Sequence, residues 1–337
     1  MTIQVGLIGA GRMGGVFGQH LAFSVAEAEL VAVVDVDKDK AAELASRFGA
    51  SASYADYTTL LARDDVDAVV IASPTGTHVD VVKAAAMAGK HIFCEKPLGL
   101  TVTGCDEAIE AVAVAGVKLQ VGFMRRYDPA YVAARRHIDA GLIGTPVMFK
   151  SIGRDPRRTS LEYARRDNSG GLITDMAIHD FDLARWLMGS EVVRVHSEGG
   201  CLVYPELKEV GDIDNAVINL KFANDAVGNV DVSRNAVYGY DIRTEVIGSE
   251  GSLLIGKLQQ TPMLVMTREG VRHDTVPYFM ERFAEAYAAE IRDFVSCIRT
   301  DRMPSVSGPD ARAATAIGLA ATRSLDEGRP VWVSEAE

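Results

Sequence analysis

The chain has 337 residues, with 35 Lys or Arg against 46 Asp or Glu, so its formal net charge is −11. This length exceeds one ordinary hydrophobic core and predicts two domains. The acidic balance argues against nucleic acid or an anionic membrane surface as the main partner. We find no apolar run of the ~18 residues that a membrane span needs, and no basic leader after Met1.

The four cysteines are scattered through the chain and do not form pairs with metal-ligand spacing. Single thiols of this kind favour a reducing compartment, so we expect a cytoplasmic protein without a metal site.

Short apolar runs alternate with helical patterns in the first third of the chain. The runs are IQVGLIG, LVAVVDVD, DAVVIAS, HIFCEK and KLQVGF, and helix-like segments lie near 12–26, 37–48, 79–89 and 101–115. Nearly continuous apolar runs are typical of parallel strands that are covered on both faces. This alternation predicts an α/β domain with a doubly wound Rossmann sheet.

The pattern changes after a helix near 128–140. Further helices are expected near 172–188, 279–299 and 308–327. The segment from about 191 to 276 is rich in short strands. Consecutive strands predict a large, mostly antiparallel, open-faced sheet in an α+β domain. We therefore predict a nucleotide-binding domain over 1–122 and an α+β domain over 123–337, whose C-terminal helix is allowed to pack back on the first domain.

The first strand is followed by a glycine-rich turn. The stretch VGLIGAGRMG carries the G-x-G-x-x-G pattern at Gly9, Gly11 and Gly14. Such a turn brings the backbone close to a pyrophosphate at a helix N-terminus, although a glycine turn in any α/β protein gives the same match. Asp35 strengthens the prediction because it ends the second strand at the distance expected of a ribose-binding acid. Its carboxylate favours NAD over NADP, while Lys38 and Lys40 nearby weaken the exclusion of a 2′-phosphate.

The third apolar run, DAVVIAS, leads into ASPTGTH. Loops at the carboxyl ends of parallel strands line the cofactor crevice, so this loop is expected to contact the nicotinamide half. The candidates are Ser73, Pro74, Thr75 and His78. A plain strand-to-helix turn is an equally good interpretation of any one of them.

The segment FCEKP ends the next strand and carries Lys96. A lysine in the crevice can orient and polarise a hydroxyl or carbonyl group beside the nicotinamide. The alternative is an ordinary surface lysine at a strand end.

The stretch GGLITDMAIHDFDLARWL places Asp175 and His179 four residues apart, on one face of a buried helix. A histidine suits the role of general base because its unperturbed pKa of about 6.5 lies near working pH. A satisfied structural pair is the alternative interpretation. Asp182 is a competing partner for the imidazole, whereas Asp180 is expected to point elsewhere.

Six segments together resemble the Gfo/Idh/MocA oxidoreductases over essentially the entire chain, and within that family they are most similar to the inositol 2-dehydrogenases. The segments are GAGRMG, CEKPLGLT, VGFMRRYDPAY, GRDP, GGLITDMAIHDFDLARWL and YGYDIRTEVIGSEG. The resemblance implies NAD-dependent oxidation of a secondary ring hydroxyl of myo- or scyllo-inositol to the inosose by hydride transfer. It implies His179 as the base, assisted by Asp175 and Lys96, and a cis Lys96–Pro97 bond.

The resemblance also assigns two sets of binding residues. For the cofactor they are Gly9, Gly11, Arg12, Met13, Gly14, Asp35, Ser73, Pro74, Thr75, His78, Glu95, Lys96 and Arg125. For the substrate they are Lys96, Arg125, Asp155, Asp175, His179, Tyr238 and Tyr240. Salt bridges at a domain hinge are the alternative for Arg125 and Arg126, and packing over the sheet is the alternative for the two tyrosines.

Other functions would use the same three catalytic residues. The first alternative is an NAD(P)-dependent sugar or polyol dehydrogenase of the same family acting on an aldose such as glucose. Cleavage of glycosidic bonds with transient use of NAD is a further alternative. A non-catalytic dinucleotide sensor is the last one, and the presence of Lys96, Asp175 and His179 argues against it because a sensor has no need of all three.

The resemblance implies a homo-oligomer, with a tetramer favoured, because the open sheet of the family is commonly covered by another subunit. The strands AVINLKF and AVGNVDVSR are expected to present an apolar face for this contact.

Overall fold

The computed structural model describes residues 2–336, which divide into two compact units. The first unit extends to Tyr127 and includes Glu285–Thr315, and the second comprises Asp128–Ala284 and the chain from Ala316 onward. These units differ from the predicted domains 1–122 and 123–337 in the position of the boundary, which lies at Tyr127/Asp128. A C-terminal segment returns to the first unit, as the prediction allowed.

The first unit is built on a six-stranded parallel sheet in the order β3-β2-β1-β4-β5-β6. Its strands are β1 Ile3–Ile8, β2 Ala28–Val34, β3 Ala52–Tyr54, β4 Ala68–Ile71, β5 His91–Glu95 and β6 Leu119–Gly122. The helices between them are α1 Arg12–Phe23, α2 Lys38–Phe48, α3 Tyr57–Leu61, α4 His78–Met87 and α5 Val102–Ala115, with 3₁₀ turns at Thr75–Thr77 and Met124–Tyr127. The predicted Rossmann fold is confirmed, although β3 and α3 were not predicted.

The register of this sheet aligns the ends of its central strands. Ile8 of β1 pairs with both Val34 and Ile71, and Ile71 pairs with Cys94. The loops that follow these strands therefore start at one edge of the sheet, where a doubly wound fold binds its cofactor.

The returning segment of the first unit begins with α11, which spans Ala284–Arg299. Its apolar stripe packs on aromatic residues of the sheet and of α1. Phe93 lies 6.0 Å from Phe294 and 5.0 Å from Phe17, and Phe17 lies 6.1 Å from Tyr287, measured between ring centroids. Edge-to-face contacts of this kind stabilise the helix on the sheet.

The second unit contains a seven-stranded mixed sheet in the order β12-β11-β7-β10-β9-β8-β15. Its strands are β7 Pro146–Arg154, β8 Val192–Gly200, β9 Asn215–Phe222, β10 Val227–Ser233, β11 Asp241–Gly248, β12 Ser252–Ile255 and β15 Val331–Trp332, while β13 Val265–Thr267 and β14 Gly270–Arg272 form a separate hairpin. Only the β7–β10 pair of this sheet is parallel among the described strands. The predicted, mostly antiparallel sheet is therefore confirmed.

Helices and turns occupy the rest of the chain. They are α6 Pro129–Asp139, α7 Leu161–Ala164, α8 Arg166–Ser169, a π-helical turn at Ile173–Ala177, α9 Ile178–Met188, α10 Phe279–Arg282 and α12 Gly308–Glu327, with 3₁₀ turns at Pro205–Val210 and Val333–Glu335. None of the described helices is both long and apolar enough to cross a membrane.

The two faces of the second sheet differ in chemistry. Inward positions of β9 are apolar and buried, as at Ile218 and Leu220. The outer face carries polar pairs, such as Asn229 donating to Asn219 at 3.0 Å, and ion pairs such as Lys150 with Glu245 at 3.5 Å. The expected apolar face on β9 and β10 is therefore wrong, because the outward positions of both strands are mostly polar.

Candidate active site

Two glycines shape the loop between β1 and α1. Gly9 has a φ of +106°, and a Cβ atom there would lie 2.5 Å from the backbone of Ala72. A Cβ atom on Gly14 would lie 1.9 Å from the carbonyl oxygen of Gly9, so neither position accepts a side chain. Gly11, in contrast, has open space where a Cβ atom would be. The loop therefore leaves room for a phosphate beside the amide groups at the start of α1, beginning at Arg12.

The carboxylate of Asp35 lies beside this loop. Its Oδ2 accepts the backbone N–H of Ala10 at 2.7 Å, and its Oδ1 accepts that of Asp37 at 2.9 Å. The group is half-buried, as expected of an acid that binds a ribose hydroxyl. Lys40 lies 3.1 Å from Asp37, so one of the two lysines that weaken the preference for NAD has an acidic partner of its own.

The loops after β4 and β5 are joined through His78. The Nδ1 of His78 lies 2.8 Å from the carbonyl oxygen of Pro97, and its Nε2 lies 2.9 Å from that of Ser73. The ring is 1% exposed, and this burial lowers the pKa of His78. A neutral imidazole donates to one carbonyl at a time. His78 therefore joins the two loops, and Thr75 of the same segment is also buried.

The Glu95–Lys96–Pro97 segment follows β5. The Oε2 of Glu95 accepts the backbone N–H of Lys96 at 2.8 Å, and the Lys96–Pro97 bond is cis, as predicted. Gly122 pairs with Glu95 across the two strands, and a Cβ atom there would lie 3.4 Å from the Glu95 carboxyl carbon. Gly122 therefore gives the carboxyl group the room to turn back toward the Lys96 amide.

The two arginines after β6 differ in their surroundings. Arg126 forms an ion pair with Asp310 at 3.0 Å within the first unit, which favours the structural interpretation for this residue. Arg125 is 3% exposed and stays a candidate ligand. Arg12 is exposed and Met13 is half-buried at the start of α1.

In the second unit, Asp175 lies in a π-helical turn over Ile173–Ala177. The predicted α-helix is therefore wrong over these residues and correct from α9 onward. Gly171 precedes the turn with a φ of +74°, and the N–H of Leu172 donates to Asp212 at 2.8 Å. π-helical turns are rare and occur frequently at functional sites.

The carboxylate of Asp175 has two donors from distant parts of the second unit. The hydroxyl of Tyr163 donates to its Oδ1 at 3.0 Å, and the Nη2 of Arg234 donates to its Oδ2 at 3.3 Å. Arg234 is 1% exposed, and its Nη2 also lies 3.8 Å from Asp212. The guanidinium thus stabilises an ionised Asp175. Burial raises the pKa of Asp212, and this effect exceeds the opposing effects of the Leu172 amide and of Arg234.

His179 lies in the first turn of α9 and is 8% exposed. Asp180 is directed at the sheet, since its Oδ1 accepts the Ser151 hydroxyl at 2.6 Å. The prediction that Asp180 points away from the imidazole is consistent with this contact. Asp182 is also fully buried.

Asp155 follows β7 and lies against the end of β10. Its N–H donates to the carbonyl of Ser233, and its carbonyl accepts the N–H of Ala236, both at 2.8 Å. These two bonds flank Arg234 in the chain. The structure therefore brings Asp155 close to the strand end that carries Arg234.

The two candidate tyrosines have different environments. The hydroxyl of Tyr238 donates to Asp241 at 2.9 Å, and the side chain is 42% exposed. Tyr240 is 5% exposed and packs edge-on against Tyr278 and Phe283. Packing over the sheet therefore accounts for Tyr240, while Tyr238 is still open to a ligand.

The sequence analysis did not identify three members of the Asp175 cluster, namely Tyr163, Asp212 and Arg234. One signal pointed to Arg234. Val230 and Val232 of β10 are buried inward positions, and the two-residue period of a strand places residue 234 on the same face. An arginine at an inward position needs buried acidic partners.

Comparison with known proteins agrees with this geometry. Residues 3–123 match a family described as an oxidoreductase family with an NAD-binding Rossmann fold, and residues 131–254 match the GFO/IDH/MocA C-terminal domain. The chain is 41% identical over 329 residues to the scyllo-inositol 2-dehydrogenase (NAD(+)) of Bacillus subtilis, covering 98% of this chain and 96% of that protein. The chain belongs to the Gfo/Idh/MocA oxidoreductase family.

Two further comparisons extend over nearly the full length. The chain is 39% identical over 334 residues to the myo-inositol 2-dehydrogenase of Thermotoga maritima, covering 99% of each. It superimposes with a TM-score of 0.95 on the scyllo-inositol dehydrogenase of Lactobacillus casei with bound NAD(H) and scyllo-inositol, at 32% identity, covering 99% of this chain and 100% of that one. As a Gfo/Idh/MocA protein the chain is an NAD-dependent oxidoreductase, and the resemblance inferred from its motifs is confirmed.

Proposed function

We propose that this chain is an inositol 2-dehydrogenase, which oxidises a secondary ring hydroxyl of myo- or scyllo-inositol to the inosose with NAD. One observation carries the proposal. The chain is 41% and 39% identical, over nearly its whole length, to two inositol 2-dehydrogenases. The acid and the imidazole of the second unit are the groups that oxidation of an alcohol requires.

The first unit is proposed to hold the cofactor. NAD supplies the hydride acceptor when it is bound. The backbone between Gly9 and Gly14 would hold the pyrophosphate, and Asp35 would accept hydrogen bonds from the adenosine ribose. The cleared space at Gly11 and the backbone-anchored Asp35 carboxylate support this assignment.

His179 is proposed to act as the general base that accepts the proton of the reacting hydroxyl. A carboxylate next to an imidazole favours the charged form of the ring, so Asp175 would stabilise His179 as it accepts the proton. Because Tyr163 and Arg234 hold both oxygens of Asp175, the carboxylate is oriented before the reaction begins. Lys96 is assigned to the reacting oxygen, where its ammonium would stabilise developing negative charge.

The other assigned ligands follow from position. Arg125 and Asp155 are proposed to bind hydroxyl groups of the substrate, and Tyr238 is proposed as a further contact. Tyr240 packs against Tyr278 and Phe283, and no substrate contact is assigned to it.

Absorbance at the NADH band tests the function directly. Purified protein is assayed with NAD and NADP in parallel over myo-, scyllo- and chiro-inositol and glucose. We expect NADH formation with an inositol, and faster turnover with NAD than with NADP. Turnover of glucose with none of the inositols would replace the proposal by the aldose dehydrogenase alternative.

We further propose a cytoplasmic homo-oligomer, with a tetramer favoured. Cys94, Cys105, Cys201 and Cys297 are all free thiols, which supports a reducing compartment. The family resemblance supports the oligomer. Light scattering at working concentration tests it, and a monomer would contradict it.

A further inference from the structure

The first unit buries a carboxyl group that the proposed mechanism does not use. Glu290 of α11 is 0% exposed, and neither of its carboxyl oxygens has a hydrogen-bond partner among residues 2–336. Its backbone carbonyl accepts the Nε2 of Gln120, on β6, at 2.8 Å. This bond anchors the helix on the strand next to β5, and it leaves the Glu290 side chain inside the unit.

Burial raises the pKa of Glu290, and the negative charge of Glu95 raises it further. Glu95 pairs with Gly122, which is two residues after Gln120 and therefore on the same face of β6. The two carboxyl groups differ in one respect. Glu95 accepts the backbone N–H of Lys96, whereas Glu290 has no donor among the described residues.

Two neighbouring buried carboxyl groups do not both ionise, because each charge disfavours the other. A hydrogen bond to the charged form decides which group keeps the charge, and that bond belongs to Glu95. A buried charge with neither donor nor cation costs far more than a neutral acid. The proton therefore resides on Glu290.

Tyr127, a titratable group near Glu290, brings no charge. Tyr127, in the 3₁₀ turn after β6, donates its hydroxyl to Asp293 at 3.0 Å. Burial, with Asp293 and Glu290 adding to it, raises the pKa of Tyr127, so the phenol is neutral. Burial raises the pKa of Glu290 well above its ordinary value, and the charge of Glu95 adds to the effect.

We propose that Glu290 is a positioning residue, an acid that stays protonated at neutral pH, leaves the charge on Glu95 and so holds the backbone of Lys96 in place. The inference rests on the proposed function, because it takes Lys96 as the residue that acts on the reacting oxygen. An ionised Glu290 would drive the proton onto Glu95. A neutral Glu95 accepts the Lys96 amide more weakly, and Lys96 would lose its alignment.

Infrared spectroscopy tests the protonation state without substrate. The full-length protein at neutral pH should show the carbonyl stretch of a protonated carboxylic acid. That band should disappear in Glu290→Gln and persist in Glu285→Gln, a matched control on an exposed residue of the same helix. Absence of the band from the wild-type protein, or its persistence in Glu290→Gln, would overturn the inference.

Steady-state kinetics with NAD and the best inositol tests the positioning role. Glu290→Gln and Glu290→Leu both keep position 290 neutral and leave the charge on Glu95, so both should retain kcat and the KM for NAD at neutral pH. As the pH rises, the wild type can ionise at position 290 and the two variants cannot, so kcat should begin to fall at a lower pH in the wild type and in Glu285→Gln than in either Glu290 variant. Superimposable pH profiles of the wild type and Glu290→Gln, or a loss of kcat in Glu290→Gln at neutral pH, would overturn the role.

The two proposals fail in distinguishable ways. If no protein in the set turns over an inositol, the proposed function is wrong, and the infrared band alone decides whether Glu290 is protonated. If inositol is oxidised and the band is missing, only the inference about Glu290 is wrong.

Discussion

In the second unit, Asp175 and Asp212 share the buried guanidinium of Arg234, whereas in the first unit Glu290 faces Glu95 and forms no ion pair with any described residue. In both arrangements each buried acid is either neutral or paired with a cation or a hydrogen-bond donor. The second unit uses a cation, and the first uses a retained proton together with a backbone amide. The difference matters because a retained proton makes folding depend on pH.

Removal of the cation should have the largest effect. Arg234→Met leaves Asp175 and Asp212 buried without their shared partner, so the free energy of unfolding should fall by about 3–5 kcal/mol. Urea unfolding at neutral pH measures the change. Adding Asp212→Asn to the variant should restore part of the loss, and Arg234→Lys should lose less than Arg234→Met. Unchanged stability in Arg234→Met would contradict the role of the guanidinium.

Removal of the proposed base, His179, should lower the activity without a large loss of stability. His179→Ala should lower kcat by roughly 100-fold, the scale of a positioned general base, which corresponds to about 2.7 kcal/mol of barrier. Stability should change much less than in Arg234→Met. NADH formation measures the rate, and His273→Ala, at an exposed histidine, is the control. Full activity in His179→Ala would end the assignment of the base.

A third acid of the second unit is compensated by amides alone. Asp214 accepts the N–H groups of Leu202, Val203 and Tyr204. Burial by itself would raise the pKa of Asp214, but the backbone amides of Leu202, Tyr204 and Val203, together with the side-chain amide of Asn215, hold it below its ordinary value of 3.8. Asp214→Asn should therefore cost about 1.5–3 kcal/mol of unfolding free energy at neutral pH.

The pH dependence of that cost follows from the lowered pKa of Asp214. The stabilisation is present above pH 3.8 and is lost as the pH falls through the folded-state pKa. The difference between wild type and Asp214→Asn should therefore shrink in acid. Asp225→Asn, at an exposed carboxylate, is the control and should show a smaller difference at every pH. A difference that does not change with pH would contradict the amide-bound, ionised Asp214.

Glu290→Gln should show the opposite pH dependence. Because the pKa of Glu290 is raised in the folded state, its contribution to stability is full below its ordinary value of 4.5 and is lost as the pH rises toward the folded-state pKa. The slope is at most about 1.4 kcal/mol per pH unit. Between acid and neutral pH, the free energy of unfolding of Glu290→Gln should therefore rise relative to that of the wild type, as measured by urea unfolding. A constant difference would show that Glu290 ionises normally.

The first unit was largely predictable because its signals are local. The glycine spacing, Asp35 and the nearly continuous apolar runs each identify one element of a repeating strand–helix pattern. The elements that were missed, β3 and α3, contain 3 and 5 residues, which is too short for a period to be visible. The return of α11 to this unit depends on long-range aromatic contacts that no local pattern reports.

The supporting residues were less predictable because they act across large sequence separations. Arg234 is 59 residues from Asp175, and spacing within one helix does not reveal such a partner. Glu290 offered a weak signal, since it interrupts the apolar stripe of Tyr287, Ile291 and Phe294 on α11. An acid inside such a stripe needs either a cation or a proton, and only the structure shows which.

The π-helical turn over Ile173–Ala177 has a consequence for how this protein can diversify. Such a turn holds one residue more than an α-helical turn, so a single-residue deletion there would convert it to regular helix without breaking the chain of backbone bonds. Everything upstream of the deletion would then rotate by about 100° around the axis, carrying Asp175 away from Arg234 while leaving His179 where it stands. One codon therefore separates a helix that carries an oriented acid from one that does not.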